Sequence, residues 1–307
     1  MATSVILDTD IGTDIDDTWA LAMLLASPEL DLRLITTVSG DARHRAALCA
    51  RLLACAGRTD VPIGIGLGGP LKVPEVLRGK PQAGFVQSDD AALAGHPQIH
   101  NDGVDAMIAA IFASSEPVTV LAIGPLTNVA EALRRCPQIV ERARLVGMHG
   151  SVRVGYRGAP TPAPEYNVYA DVAAARIALS AAWDITITPL DSCGSVVLKG
   201  DAYRRFHAYA IANPGSMAAA VLENYRLWLT AVDGPSGRIT ERSTTLYDTV
   251  AVYLAFAEEV LTMETLSIAI DDAGDTREDA RGRTMRVATG WRDAPAFDAL
   301  LLNRLCR

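Results

Sequence analysis

Apolar residues along this chain fall into short continuous runs, separated by stretches with helical spacing. The first run, SVILDTD (4–10), reads as a buried strand, and residues 16–26 read as a helix ending at Ser27-Pro28. DLRLITTV (31–38) is a second strand, followed by a helix over 42–56 that Gly57 closes. VPIGIG (61–66), PVTVLAI (117–123), ARLVGMHG (143–150) and DITITPLD (184–191) are further strands, and residues 128–133 lie on the helix after PVTVLAI. Runs that are apolar throughout, not alternating, belong to strands buried on both faces. The β-α-β-α rhythm therefore predicts an α/β fold with a mostly parallel central sheet and helices on both sides. Ligands of such sheets sit beyond the C-terminal strand ends, which directs attention to residues 8–17, Ser39-Gly40-Asp41, Ile123-Gly124 and the chain from His149 onward. Stretches 66–102 and 150–168, rich in Gly, Pro and polar residues, are expected to be long active-site loops. No repeat, low-complexity tract or linker divides the chain, so residues 1–307 read as one domain.

Composition narrows the function. Half of the 307 residues are apolar, enough for a sizeable core. A net charge of −8 argues against a nucleic-acid partner, because phosphate binding needs a basic stripe, but leaves a small neutral ligand open. The opening MATSVILDTD has neither a basic n-region nor an apolar stretch fit for a signal peptide or membrane span, so a cytoplasmic protein with no membrane partner is expected. Cys49, Cys55, Cys136, Cys193 and Cys306 are dispersed without a CxxC pair, which fits reduced thiols better than disulfides or a zinc site.

The chemistry concentrates after the first strand, where Asp8, Asp10, Asp14, Asp16 and Asp17 fall within ten residues. Gly12 lets the backbone turn there. Capping the following helix occupies one or two carboxylates, and the rest repel one another unless a cation sits among them. A hard divalent ion with oxygen ligands is the economical explanation. An EF-hand is disfavoured because Gly12 interrupts the acidic series and a strand precedes it. A phosphatase of the haloacid-dehalogenase type, with Asp8 as nucleophile, also begins Asp-x-Asp. It expects Thr or Val where Gly12 stands, and a phosphate-binding lysine, a residue scarce in this chain (Lys72, Lys80, Lys199).

The sequence resembles the nucleoside hydrolases, whose opening is an apolar strand, Asp-x-Asp-x-Gly, then an Asp-Asp pair starting a helix. Asp8 to Gly12 and Asp16-Asp17 follow this pattern, with three residues between Gly12 and the pair where the family usually has one. ITTVSGD, IHNDGVD, AIGPLTNVAEAL, PEYN and LYDTVAVYLA follow in the family's order, with Asp41, Ala159 and Tyr247 where Asn, Asn and His are commoner. The resemblance implies hydrolysis of the N-glycosidic bond of a ribonucleoside, with Ca²⁺ as cofactor and Asp10 as general base on a calcium-bound water. It implies Asp10, Asp17, the Ile123 carbonyl and Asp248 as metal ligands, and Asp16, Asp41, Glu165 and Asn167 as ribose contacts. It also implies a homodimer or homotetramer. Leaving-group candidates are His100, Tyr225, Trp228 and Tyr247, the second and third spaced i, i+3 so as to share a helix face. The phosphohydrolase, and a non-catalytic protein that binds calcium or ribose, stay open as alternatives.

Overall fold

The computed structural model describes residues 2–69, 80–234 and 237–307; Lys72 and most of the glycine- and proline-rich start of the 66–102 stretch lie outside the described residues. Its strands are β1 (Thr3–Thr9), β2 (Leu30–Thr37), β3 (Ile63–Ile65), β4 (Ile99–His100), β5 (Val118–Ala122), β6 (Ala143–Met148), β7 (Ile185–Thr188), β8 (Leu261–Ile270), β9 (Thr276–Glu278) and β10 (Arg283–Trp291). They form one sheet in the order β4-β3-β2-β1-β5-β6-β7-β10-β8-β9. Pairing is parallel from β4 through to β10, and only β8 runs antiparallel to its neighbours β10 and β9.

The apolar runs are explained by packing on both sheet faces. Along β1, Val5 and Leu7 join Trp19 and Leu21 in one core, whereas Ile6 joins Val120 and Leu145 in the other. Starting from β1 the chain builds outward through β2, β3 and β4, then returns to place β5 on the opposite side of β1. The strand order therefore reverses between β1 and β5, and a crevice opens at their C-terminal ends.

The α/β architecture with a mostly parallel sheet and covering helices is as the apolar pattern predicts, and the differences are local. The run 184–191 holds strand geometry only to Thr188, because Pro189 has no N–H for the ladder; a short helix, Leu190–Cys193, follows. The 66–102 stretch is not all loop: it contains β4 and the helix Asp89–Ala94, capped by the Ser88 hydroxyl. The antiparallel β8–β10 group has mixed burial and carries no continuous apolar run to announce it. Among the described residues no helix is long and apolar enough to cross a membrane.

Candidate active site

The crevice is built first by the turn after β1. Gly12 takes φ +105°, a conformation strained for any residue with a side chain, and a Cβ there would also push Leu48 Cδ1 aside from 2.7 Å. Past β5, a Cβ on Gly124 would stand 2.9 Å from the Asp10 nitrogen and 3.0 Å from its Oδ1; glycine lets the two strand ends close together. The helix Asp16–Leu25 carries Asp16 and Asp17 in its first turn, and the helix Tyr247–Leu254 carries Asp248 in its own. Two helix N-termini thus converge, and unpaired N–H groups there favour negative charge. Ligand oxygens of Asp16, Asp17 and Asp248 all lie within 4.8 Å of one another.

These carboxyls line one cavity together with Asp10, Asp14, the Ile123 segment, Glu165, Asn167 and Tyr247. Burial pushes the carboxyls of Asp16, Asp17 and Asp248 well above the ordinary range, and their mutual repulsion adds to it. Asp10 is raised to about 6 by burial, with Arg45 pulling the other way. The Thr9 hydroxyl donates to Asp17 and accepts the Ile11 N–H at 3.1 Å, which ties the first helix turn back to the strand end. A hard cation fits this donor set: clustered carboxylate oxygens, helix N-termini behind them, and too little positive charge from the protein to balance them.

The second wall comes from the 150–168 stretch. Glu165 caps the helix Tyr166–Ala170, accepting from the N–H groups of Gly150 (2.9 Å), Asn167 (2.8 Å) and Val168 (3.3 Å). Burial raises it to about 7 although those three donors oppose the shift. Asn167 Nδ2 donates to the carbonyls of Ile123 (3.2 Å) and Met148 (3.0 Å), bracing β5 against β6 at the cavity floor.

The family model for inosine-uridine preferring nucleoside hydrolases matches residues 5–300. The chain belongs to the nucleoside hydrolase family. Among curated relatives, the non-specific ribonucleoside hydrolase RihC of Shigella boydii is 30% identical over 284 residues, covering 90% of this chain and 86% of that protein. The Escherichia coli O1:K1 protein of the same name is also 30% identical over 284 residues. Two solved structures share the fold end to end. The plant nucleoside hydrolase PpNRh1 has TM-score 0.76 at 22% identity, covering 100% of this chain and 99% of that one. The inosine-uridine preferring nucleoside hydrolase of Bacillus anthracis has TM-score 0.76 at 18% identity, covering 99% of each chain.

Nucleoside hydrolases are metal-dependent enzymes that act on N-glycosyl bonds, and the structure gathers most of the residues named from sequence into one place. Asp10, Asp16, Asp17, Ile123, Glu165, Asn167, Tyr247 and Asp248 line the cavity. Four do not. Asp41 caps the helix Ala42–Cys55 through the His44 N–H and pairs with Lys80 at 2.7 Å, facing outward. His100 is exposed and lines a separate depression with Arg33 and Asp102. Tyr225 is fully buried against Trp19, its hydroxyl on the Arg242 carbonyl. Trp228 is buried and donates Nε1–H to the Thr13 carbonyl at 3.1 Å, so it braces the turn from behind. Asp8, the nucleophile a phosphohydrolase needs, is sealed beneath the site by Thr36 (2.6 Å) and Asn128 (2.7 Å).

A residue that sequence reading passed over holds this nucleoside hydrolase site together. Arg45, buried on the helix Ala42–Cys55, donates to the carbonyls of Asp10, Ile11 (2.7 Å) and Ser39 (2.8 Å) and to the Thr13 hydroxyl (2.7 Å). With Gln82, which reaches the Asp14 carbonyl at 2.6 Å, and Trp228, it clamps the lengthened turn after Gly12. Its charge also offsets the acids above. Arg45→Met leaves several carbonyls and buried carboxylates uncompensated and is expected to lower stability by about 3 kcal/mol or more. Thermal denaturation checks this, and Arg45→Lys should recover only part because one ammonium cannot span four acceptors. Tyr156 and Tyr166 also line the cavity, with Tyr156 edge-on to Tyr247 at 6.4 Å; both lie in the loop expected to reach the site, but nothing in their spacing marks them.

Proposed function

We propose that this chain hydrolyses the N-glycosidic bond of ribonucleosides to ribose and free base, with Ca²⁺ held by Asp10, Asp17, Asp248 and the Ile123 carbonyl. The observation that carries the reading is the convergence of Asp16, Asp17 and Asp248 in a cavity shared with Asp10, Glu165 and Asn167, in a chain of this family. Bound there, calcium supplies Lewis acidity and balances the carboxylate charge. Asp10 takes a proton from the water that attacks the anomeric carbon as the C–N bond breaks and its electron pair leaves with the base. Asp16, Glu165 and Asn167 hold the ribose hydroxyls, and the ionised carboxylates stabilise positive charge growing on the sugar. Tyr247, at the cavity rim, meets the departing base. Asp41, His100, Tyr225 and Trp228 lie outside the ribose cavity and take no part in the bond cleavage in this scheme. The reading includes a cytoplasmic homodimer or homotetramer acting in nucleoside breakdown and salvage.

The test is ribose release from a panel of purine and pyrimidine nucleosides, before and after chelation and again after calcium is restored. Release that chelation abolishes and calcium restores is expected. A folded, calcium-loaded protein that binds ribosides and releases nothing overturns the reading in favour of a binding protein. Magnesium-dependent phosphate release with a trapped phosphoaspartate overturns it in favour of a phosphohydrolase.

A further inference from the structure

The acidic cavity opens into a second, outer pocket that shares Asp14 and Tyr247 with it and is lined further by Arg157, Arg242, Thr244 and Trp228. Both arginines are exposed, and neither guanidinium has a hydrogen bond or ion pair among the described residues. Many surface arginines of this chain are tied to carboxylates, Arg153 to Glu264 and Glu278, Arg135 to Asp102 and Asp105, and Arg286 to Glu258. Arg205, Arg226 and Arg292 share the unpaired state among the described residues but line no pocket beside the acidic cavity. Arg157 sits at the tip of a turn closed by the Gly155 N–H on the Ala159 carbonyl (2.8 Å), with its backbone at φ +59°. Two unengaged guanidiniums on one concave wall, beside a cavity of the opposite sign, are complementary to a ligand that is a neutral polyol at one end and an anion at the other.

We propose that the outer pocket is a subsite for an anionic group on the riboside, either a carboxylate on the base or a phosphate on the sugar. The chain then prefers ribosides so charged over neutral nucleosides. This rests on the reading of the inner cavity as a ribose site. Asp14, delivered to the boundary by the lengthened turn after Gly12, separates the two charges and turns the anion outward toward the arginines.

The experiment compares kcat/KM for uridine, orotidine and uridine 5′-monophosphate, in the native chain and in the Arg157→Gln/Arg242→Gln double variant. One charged substrate is expected to exceed uridine by about tenfold, with the ratio falling near one in the double variant and recovering in Arg157→Lys/Arg242→Lys. Added salt should shrink the preference in the native chain. Gain with orotidine places the anion on the base, and gain with the monophosphate places it on the sugar. Uridine as the best of the three, or a preference that survives in the double variant, overturns the subsite. If none of the three is cleaved, calorimetric binding decides it. Tighter binding of a charged ligand that the double variant loses supports the subsite, and equal affinities in the native chain overturn it. The reaction itself is judged separately, by the nucleoside panel above.

Discussion

Replacing Asp10 with asparagine is expected to cut ribose release by about a thousandfold or more while the protein stays folded. Removal of a general base typically costs two to four orders of magnitude, and in the proposed mechanism the same side chain also ligates the metal, which places the loss at the upper end. Folding survives because the frame grips Asp10 through its backbone: Arg45 holds the carbonyl, and Gly124 packs against its nitrogen. The metal-free variant should melt no lower than the native chain, since one buried charge among repelling carboxylates is gone. Asp8→Asn is the matched control. Asp8 is equally buried but outside the cavity, and an amide replaces it with little change of shape, so turnover should stay within about tenfold. A phosphohydrolase working through Asp8 predicts the reverse ranking of the two variants. Near-native turnover in Asp10→Asn would remove Asp10 from the proton transfer.

The legible parts of this site are those that sit directly behind a strong periodic signal. Asp10, Asp16 and Asp17 follow an apolar strand and open a helix, so their position at a strand end could be read from pattern alone. The order of the later motifs carried Ile123, Glu165, Asn167 and Asp248 into the same cavity. Residues whose role depends on three-dimensional closure were not legible. Arg45 reads as one polar residue on an amphipathic helix; only the fold turns it toward the Asp10 turn. Asp41 and His100 share motif-like surroundings with site residues, yet Asp41 serves as a helix cap and His100 ends a short edge-strand segment facing solvent. Tyr225 and Trp228 show the ambiguity of aromatics three apart on a helix: Tyr225 packs on Trp19 inside the core, and Trp228 ties its Nε1–H to the turn and borders only the second pocket, so neither lines the acidic cavity. The placement of β10 between β7 and β8 could not be read either, because sheet order depends on contacts far apart in sequence.

Removing the metal is expected to invert the usual dependence of stability on pH. Burial holds Asp10 near 6, Asp8 and Glu165 near 7, and Asp16, Asp17 and Asp248 higher than an ordinary carboxyl. For an acid whose folded pKa lies above its unfolded one, the folded state holds the proton more tightly. The stabilisation is complete below the unfolded value, about 4, and is lost as pH rises through the folded values. Metal-free protein should therefore melt higher at pH 6 than at pH 8. His149 opposes this, since burial lowers it to about 4 and the unfolded chain gains its proton first below about 6.5. It is one group against seven carboxyls, since burial raises Asp14 as well, so the carboxyls decide the sign. Calcium should reverse the trend, because binding requires the ionised ligands and protons compete with it. At a hundredfold excess over its dissociation constant the ion should raise Tm by roughly 4 °C, and by more at pH 8 than at pH 6. Differential scanning calorimetry with chelator and with calcium at both pH values checks this. Equal melting of the metal-free protein at pH 6 and pH 8, or a calcium increment independent of pH, would show that these carboxyls are not the groups the cation binds.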